Sequence, residues 1–131
     1  CHHTQHLHAI RRSGYLNAKF VSTRANMIDF LELTRKGCLK SLSLDRVRGE
    51  NEDDLQLSCS AVAFDDINYA ILVLIGADSG EICFRSWKIM DNGIIDRVLH
   101  KDSSKILSVN FFNDEISAAR PILYATLSSK D

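Results

Sequence analysis

The stretch Gly76-Ala77-Asp78-Ser79-Gly80-Glu81-Ile82-Cys83-Phe84-Arg85-Ser86-Trp87 decides the fold, because it sets a tight polar turn between two strand-like apolar runs. Ahead of it, Ala70-Ile71-Leu72-Val73-Leu74-Ile75 is a β-branched run of buried-strand type. Behind it, Ile82, Phe84 and Ser86 alternate with Cys83, Arg85 and Trp87 at period two, the spacing of a pleated strand. A hairpin is predicted across this region.

Working outward, the pattern repeats. Phe20 through Leu33 can be laid without gaps on Leu74 through Trp87, at an offset of about 54 residues. Val21 then meets Ile75, Ser22 meets Gly76, Asn26 meets Gly80, Ile28 meets Ile82, Phe30 meets Phe84 and Leu33 meets Trp87. One strand earlier, His8-Ala9-Ile10, Ser60-Ala61-Val62 and Leu107-Ser108-Val109 each carry a small residue followed by an aliphatic one. A third copy thus begins, with Ile122–Leu127 as its second strand and Ser128–Asp131 opening its turn.

In the middle copy the strands are predicted at Ser58–Phe64, Tyr69–Ala77, Glu81–Ile89 and Ile94–Leu99, with Asp91-Asn92-Gly93 supplying left-handed turn residues between the last two. In the first copy Leu39–Leu44 is the fourth strand, entered through Arg35-Lys36-Gly37, and Gly49–Asp54 is an acidic connection between copies. The competing reading for Asn26–Leu33 is a helix lined by Met27, Phe30, Leu31 and Leu33. The punctuation at Gly37 and Gly49 leaves little room for one.

Four strands per copy with short connections is the plan of a β-propeller blade. The copies resemble the WD40-type β-propeller repeat family, with Trp87 standing for the tryptophan that ends a blade's third strand and Leu99-His100 for the G-H pair of the next blade. Lys88 follows Trp87 where the family has aspartate, and Leu99 replaces its glycine. The resemblance implies an all-β fold: a β-propeller fragment of about two and a half four-stranded antiparallel blades. Residues 1–52 form one blade, 53–103 a second and 104–131 part of a third. Asp78, Gly80, Trp87 and His100 are its structural positions. The chain begins at Cys1 and stops where a turn opens, so the expectation is a piece of a longer polypeptide whose other blades close the ring.

Composition narrows the function. Among the 131 residues, 45% are hydrophobic and 25% charged, as in globular proteins, and the formal net charge is −1. That balance gives no global attraction to nucleic acid or anionic lipid. No apolar run approaches the roughly 20 residues of a membrane-spanning helix, and no membrane partner is predicted. The four cysteines, Cys1, Cys38, Cys59 and Cys83, form no C-x-x-C pair. Cys59 and Cys83 sit inside apolar strand patterns, where cysteine acts as a small hydrophobe; this suits a reducing, intracellular compartment, cytoplasmic or nuclear.

The candidate chemistry is sparse. His2, His3, His6 and His8 crowd beside Cys1, but on a strand only His6, His8 and Ile10 share a face, so no metal site is predicted. A Cys1 nucleophile with its own amino group, or His2 or His3, as base would need a layered α/β framework that this all-β pattern lacks. Asp53-Asp54, Asp65-Asp66 and Asp114-Glu115 read as turn residues accepting backbone N–H bonds. No enzyme activity and no cofactor are predicted. The binding candidates are the basic-aromatic loop residues Arg11, Arg12 and Tyr15, together with Arg24; Arg85 beside Trp87 is a second candidate. The resemblance implies a non-catalytic scaffold or adaptor that holds other protein subunits in a larger complex. The alternative is a propeller subunit assisting an RNA-modifying or other nucleic-acid enzyme, with Arg11, Arg12, Lys19 and Arg24 as phosphate contacts.

Overall fold

The structure is a computed structural model, and it describes residues 5–10, 18–51, 53–65, 67–112 and 123–128. The first sheet runs in chain order through β1 (Gln5–Ile10), β2 (Lys19–Arg24), β3 (Met27–Leu33) and β4 (Leu39–Arg46). The second repeats that order with β5 (Leu57–Asp65), β6 (Ala70–Ala77), β7 (Glu81–Lys88) and β8 (Ile94–Lys101). A third sheet holds β9 (Ile106–Phe112) and β10 (Leu123–Ser128). All neighbours pair antiparallel. The chain is all-β, a propeller fragment of two four-stranded blades and the beginning of a third.

The segment after Asn26 is strand rather than helix, because its burial alternates. Ile28 and Phe30 are buried, while Met27, Asp29 and Leu31 are half-buried on the opposite face. The outer strands β4 and β8 extend two residues past the predicted ends at Leu44 and Leu99, and β10 starts one residue after the predicted Ile122. Ser129–Asp131, the predicted turn of the third copy, lies outside the described residues.

The gapless alignment of the first two blades needs one correction. Asn26 and Gly80 do coincide: each turn carbonyl accepts from the first N–H after the outer strand, Val47 N to Asn26 O at 2.8 Å and Asp102 N to Gly80 O at 2.7 Å. Before the turn the alignment slips by one residue. Two residues, Ala25 and Asn26, separate β2 from β3, against three, Asp78 to Gly80, between β6 and β7. A one-residue slip exchanges the two faces of a strand. Val21 therefore shares its role with Leu74 rather than Ile75: each packs forward onto the next blade. By the same shift Thr23, not Ser22, is the counterpart of Gly76.

The core lies between the blades. Val21, Ile28 and Phe30 of the first blade meet Ile71, Val73, Ile75, Cys83 and Trp87 of the second, and Phe30 stacks on Trp87 with ring centroids 4.9 Å apart. On the far side of the second blade, Leu74 and Ile82 pack against Ile106 and Val109. Strand β6 is buried along its whole length because both its faces are covered, which is why its sequence is an unbroken apolar run. The outer strand β8 is exposed almost throughout.

Two glycines make these approaches possible. Gly80 adopts φ +92, and a methyl group there would meet the Ser104 carbonyl at 2.8 Å and collide with that of Asp102. At Gly76 a methyl group would lie 2.5 Å from Ile106 Cγ2 and 2.6 Å from Cys59 Sγ. The predicted left-handed turn between β7 and β8 is present with Asn92 as its positive-φ residue, and Asp91 Oδ1 accepts from Gly93 N at 2.9 Å.

Candidate functional site

Alternation along β7 carries Cys83, Arg85 and Trp87 toward the first blade, which places a guanidinium in an otherwise apolar column. Arg85 is only 3% exposed. A buried charge is tolerated when paired and hydrogen-bonded. Asp96, directly opposite on β8, takes two bonds: Arg85 Nε donates to Oδ1 and Nη2 to Oδ2 at 2.9 Å. Arg85 Nη2 also crosses to the first blade, donating to the Arg46 carbonyl at 3.1 Å, with Asp45 Oδ2 farther off at 3.7 Å. Nη1 is buried and has no hydrogen-bond partner. Two of the five guanidinium N–H groups are thus unused.

These groups line a cleft of about 340 Å³ between the blades, walled by Asp45–Gly49 on one side and by Phe84, Arg85 and Asp96–Val98 on the other. Its floor includes Ile75 and Cys83. Burial, with the Glu81 and Asp96 carboxylates nearby, pushes the Cys83 thiol up to about 11, so it is neither a nucleophile nor a thiolate ligand near neutrality. Arg48 and Arg97 are exposed and make no ion pair among the described residues. Behind the cleft, buried Glu81 accepts from Glu50 N at 2.9 Å, and Gly49 passes so close to that carboxylate that a side chain would collide with it.

A second polar group joins the innermost strands. His8 Nε2 lies 2.9 Å from Ser60 Oγ, which lies 2.8 Å from Thr23 Oγ1. His6 stacks on His8 with centroids 6.3 Å apart. Burial, and secondarily the His6 charge, lowers the His8 pKa below 6.5. This arrangement makes an inter-blade link. Among the described residues no three His, Cys, Asp or Glu side chains converge as a metal-ligand set, and Cys1, His2 and His3 lie outside them.

The predicted site residues do not assemble into one place. Arg11, Arg12 and Tyr15 lie outside the described residues, and Arg24 is exposed at the end of β2. Lys19 corrects the proposed phosphate contacts: it is 7% exposed and its Nζ donates to Glu32 Oε2 at 2.7 Å. His100 sits inside β8 opposite Ile82 with an exposed side chain. Asp78 is exposed, with its N–H donating to Gln56 O at 2.9 Å and its Oδ1 3.7 Å from Lys105 Nζ. Trp87 packs between the blades. Asp65 is a turn residue: its Oδ1 accepts from Ile67 N at 3.0 Å and Asn68 N at 3.2 Å; Asp66, Asp114 and Glu115 lie outside the described residues. The sequence did not point to Glu81, Gly49, Ser60 or Thr23. Only Arg85, a charge inside an alternating strand, left a readable sign.

No protein-family model matches the sequence, and neither does any curated protein. Solved structures do resemble the fold. The inhibitor-bound Polycomb Repressive Complex 2 of Chaetomium thermophilum contains a chain that matches with a TM-score of 0.63 and 16% identity over 93% of this chain. A humanized mutant of that complex matches with a TM-score of 0.64 and 17% identity over 93% of this chain. The apo complex in an autoinhibited state matches with a TM-score of 0.63 and 16% identity over 92%. The match spans about a quarter of those chains, 26%, 25% and 25% respectively. At such identities the likeness is one of fold.

Proposed function

We propose that this chain is a segment of a WD40-type propeller that acts as a non-catalytic scaffold, holding protein subunits in fixed geometry within a nuclear or cytoplasmic complex. The observation that carries this reading is the stacking of whole blades through a dry core. Such stacking makes a rigid support whose outer strands and turns are left to meet partners. That the similar chains come from a multiprotein complex supports it. Among the described residues Cys83 is held neutral, the buried carboxylate of Glu81 is engaged by a backbone amide, and the Ser60 hydroxyl beside His8 is tied to Thr23 between the blades. The test is cross-linking of the native protein followed by size separation. Elution in an assembly larger than the chain, with cross-links from outer strands to other proteins, is the expected result. A native protein that elutes alone without such cross-links overturns the reading.

A further inference from the structure

We propose that the cleft between the first two blades receives a carboxylate side chain from an acidic peptide segment of a protein partner. The carboxylate takes the place of Asp45 beside the Arg85 guanidinium, with Arg48 at the mouth. This rests on the protein-binding reading above and names the chemistry of the bound segment.

Three observations carry it. First, Arg85 is held in place by two bonds to Asp96 and one to the Arg46 carbonyl, yet Nη1 keeps its donors unused under cover. Unpaired buried donors favour an incoming acceptor, and a carboxylate is the acceptor that a guanidinium fork fits best. Second, the group standing where that acceptor would sit does not bond the guanidinium. Asp45 Oδ1 accepts from Arg46 N at 2.8 Å, while its Oδ2 is 3.7 Å from Nη2, beyond hydrogen-bond distance, and its side chain is 58% exposed. Third, the mouth carries Arg48 uncompensated among the described residues, and the cleft volume of about 340 Å³ holds a side chain with its adjoining backbone. A nucleic-acid backbone fits less well: its phosphates are carried in the chain itself, whereas the unused Arg85 donors are buried and are reached by an acceptor at the end of a side chain.

The experiment titrates fluorescein-labelled hexaglutamate into the full chain and reads anisotropy, with hexaglutamine and an oligothymidylate as comparators. Hexaglutamate is expected to bind, with affinity falling as salt rises. Arg48→Ala, exposed and safe for folding, should weaken it about 3- to 10-fold, whereas Arg97→Ala, on the opposite face of β8, should weaken it less. Asp45→Asn should tighten it several-fold, because the internal competitor is gone. Equal binding of hexaglutamine, preference for the oligothymidylate, unchanged affinity in Arg48→Ala, or weaker binding by Asp45→Asn would each overturn the proposal. If peptide binding fails while the native protein still cross-links to other subunits, the cleft is rejected and the scaffold stands.

Discussion

The seam between the first and second blades and the seam between the second and third use the same strand positions and fill them with different chemistry. At the first, Thr23 and Ser60 bond through their hydroxyls with His8 behind them, Arg85 reaches the Arg46 carbonyl, and Phe30 stacks on Trp87. At the second, Gly76 stands where Thr23 stood, so Ile106 and Cys59 pack directly on the backbone beside Leu74, Ile82 and Val109. Its polar links among the described residues are Ser58 Oγ and Cys59 Sγ, both donating to the Ile106 carbonyl at 2.6 and 3.7 Å, and the exposed Lys105–Asp78 pair at 3.7 Å. Apolar packing of this kind tolerates small sliding, whereas hydrogen bonds and a buried guanidinium have one satisfied arrangement. The first seam therefore fixes orientation as well as adhesion, and it is also where the candidate cleft lies.

The largest effect should come from the aromatic centre of the first seam. Trp87→Ala removes the partner of Phe30 from a dry core and should cost about 3–5 kcal/mol of unfolding free energy. Trp87 is the single tryptophan, so the urea transition has to be followed by circular dichroism. A loss below about 1 kcal/mol, the ordinary effect of a point substitution, would mean that the polar contacts hold this seam.

Substitutions at the paired positions Gly76 and Thr23 test the steric contrast directly. Gly76→Ala drives a methyl group into Ile106 and Cys59 and should cost about 1–3 kcal/mol, the usual penalty of overpacking. Thr23→Ala removes one hydroxyl from a pair that leaves Ser60 still bonded to His8, and should cost about 1 kcal/mol. Equal denaturation midpoints for the two variants would erase the distinction between a close-packed and a hydrogen-bonded seam.

The turns offer a smaller contrast of opposite sign. Blade two has glycine at its left-handed position, Gly80 with φ +92, whereas blade one puts Ala25 at φ +54. Left-handed geometry strains an alanine by about 1–2 kcal/mol, and glycine returns part of that in chain entropy. Ala25→Gly should therefore stabilise the chain by roughly 0.5–1 kcal/mol. A lower melting temperature would show that the bond from Leu57 N to the Ala25 carbonyl, at 2.7 Å, depends on the alanine.

The repeat itself was legible in the sequence because alternation and turn residues are local. Met27–Leu33 and Glu81–Lys88 fall on each other with Ile28 over Ile82, and the turn carbonyls of Asn26 and Gly80 bear it out. The slip at Val21 was not legible, since Ala25-Asn26 and Asp78-Ser79-Gly80 can be aligned without a gap although they are turns of different length. The cleft was hidden for another reason. Arg85, Asp96 and the Arg46 carbonyl come together through pairing across strands and across blades, which no spacing within one strand encodes. Lys19 looked like part of a basic patch because Glu32, its partner, lies on the neighbouring strand.

The mildest test asks whether only the first seam senses acid. His8 is half-buried there, and its folded-state pKa lies below 6.5, chiefly through burial and secondarily through His6. The unfolded chain then takes up the proton first. Stability is fully present above pH 6.5, is lost as pH falls through 6.5 toward the folded pKa, and levels off below it. Protonation also makes both ring nitrogens donors, so Ser60 Oγ has to accept from His8 and pass its own hydrogen to Thr23. Urea midpoints measured from about pH 8 to pH 5 should fall with a slope that His8→Gln removes. Gly76→Ala, acting at the other seam, should lower every midpoint by a similar amount and leave the slope as it was. A slope that persists in His8→Gln would move the titration away from the His8–Ser60–Thr23 link and leave the two seams alike in their response to pH.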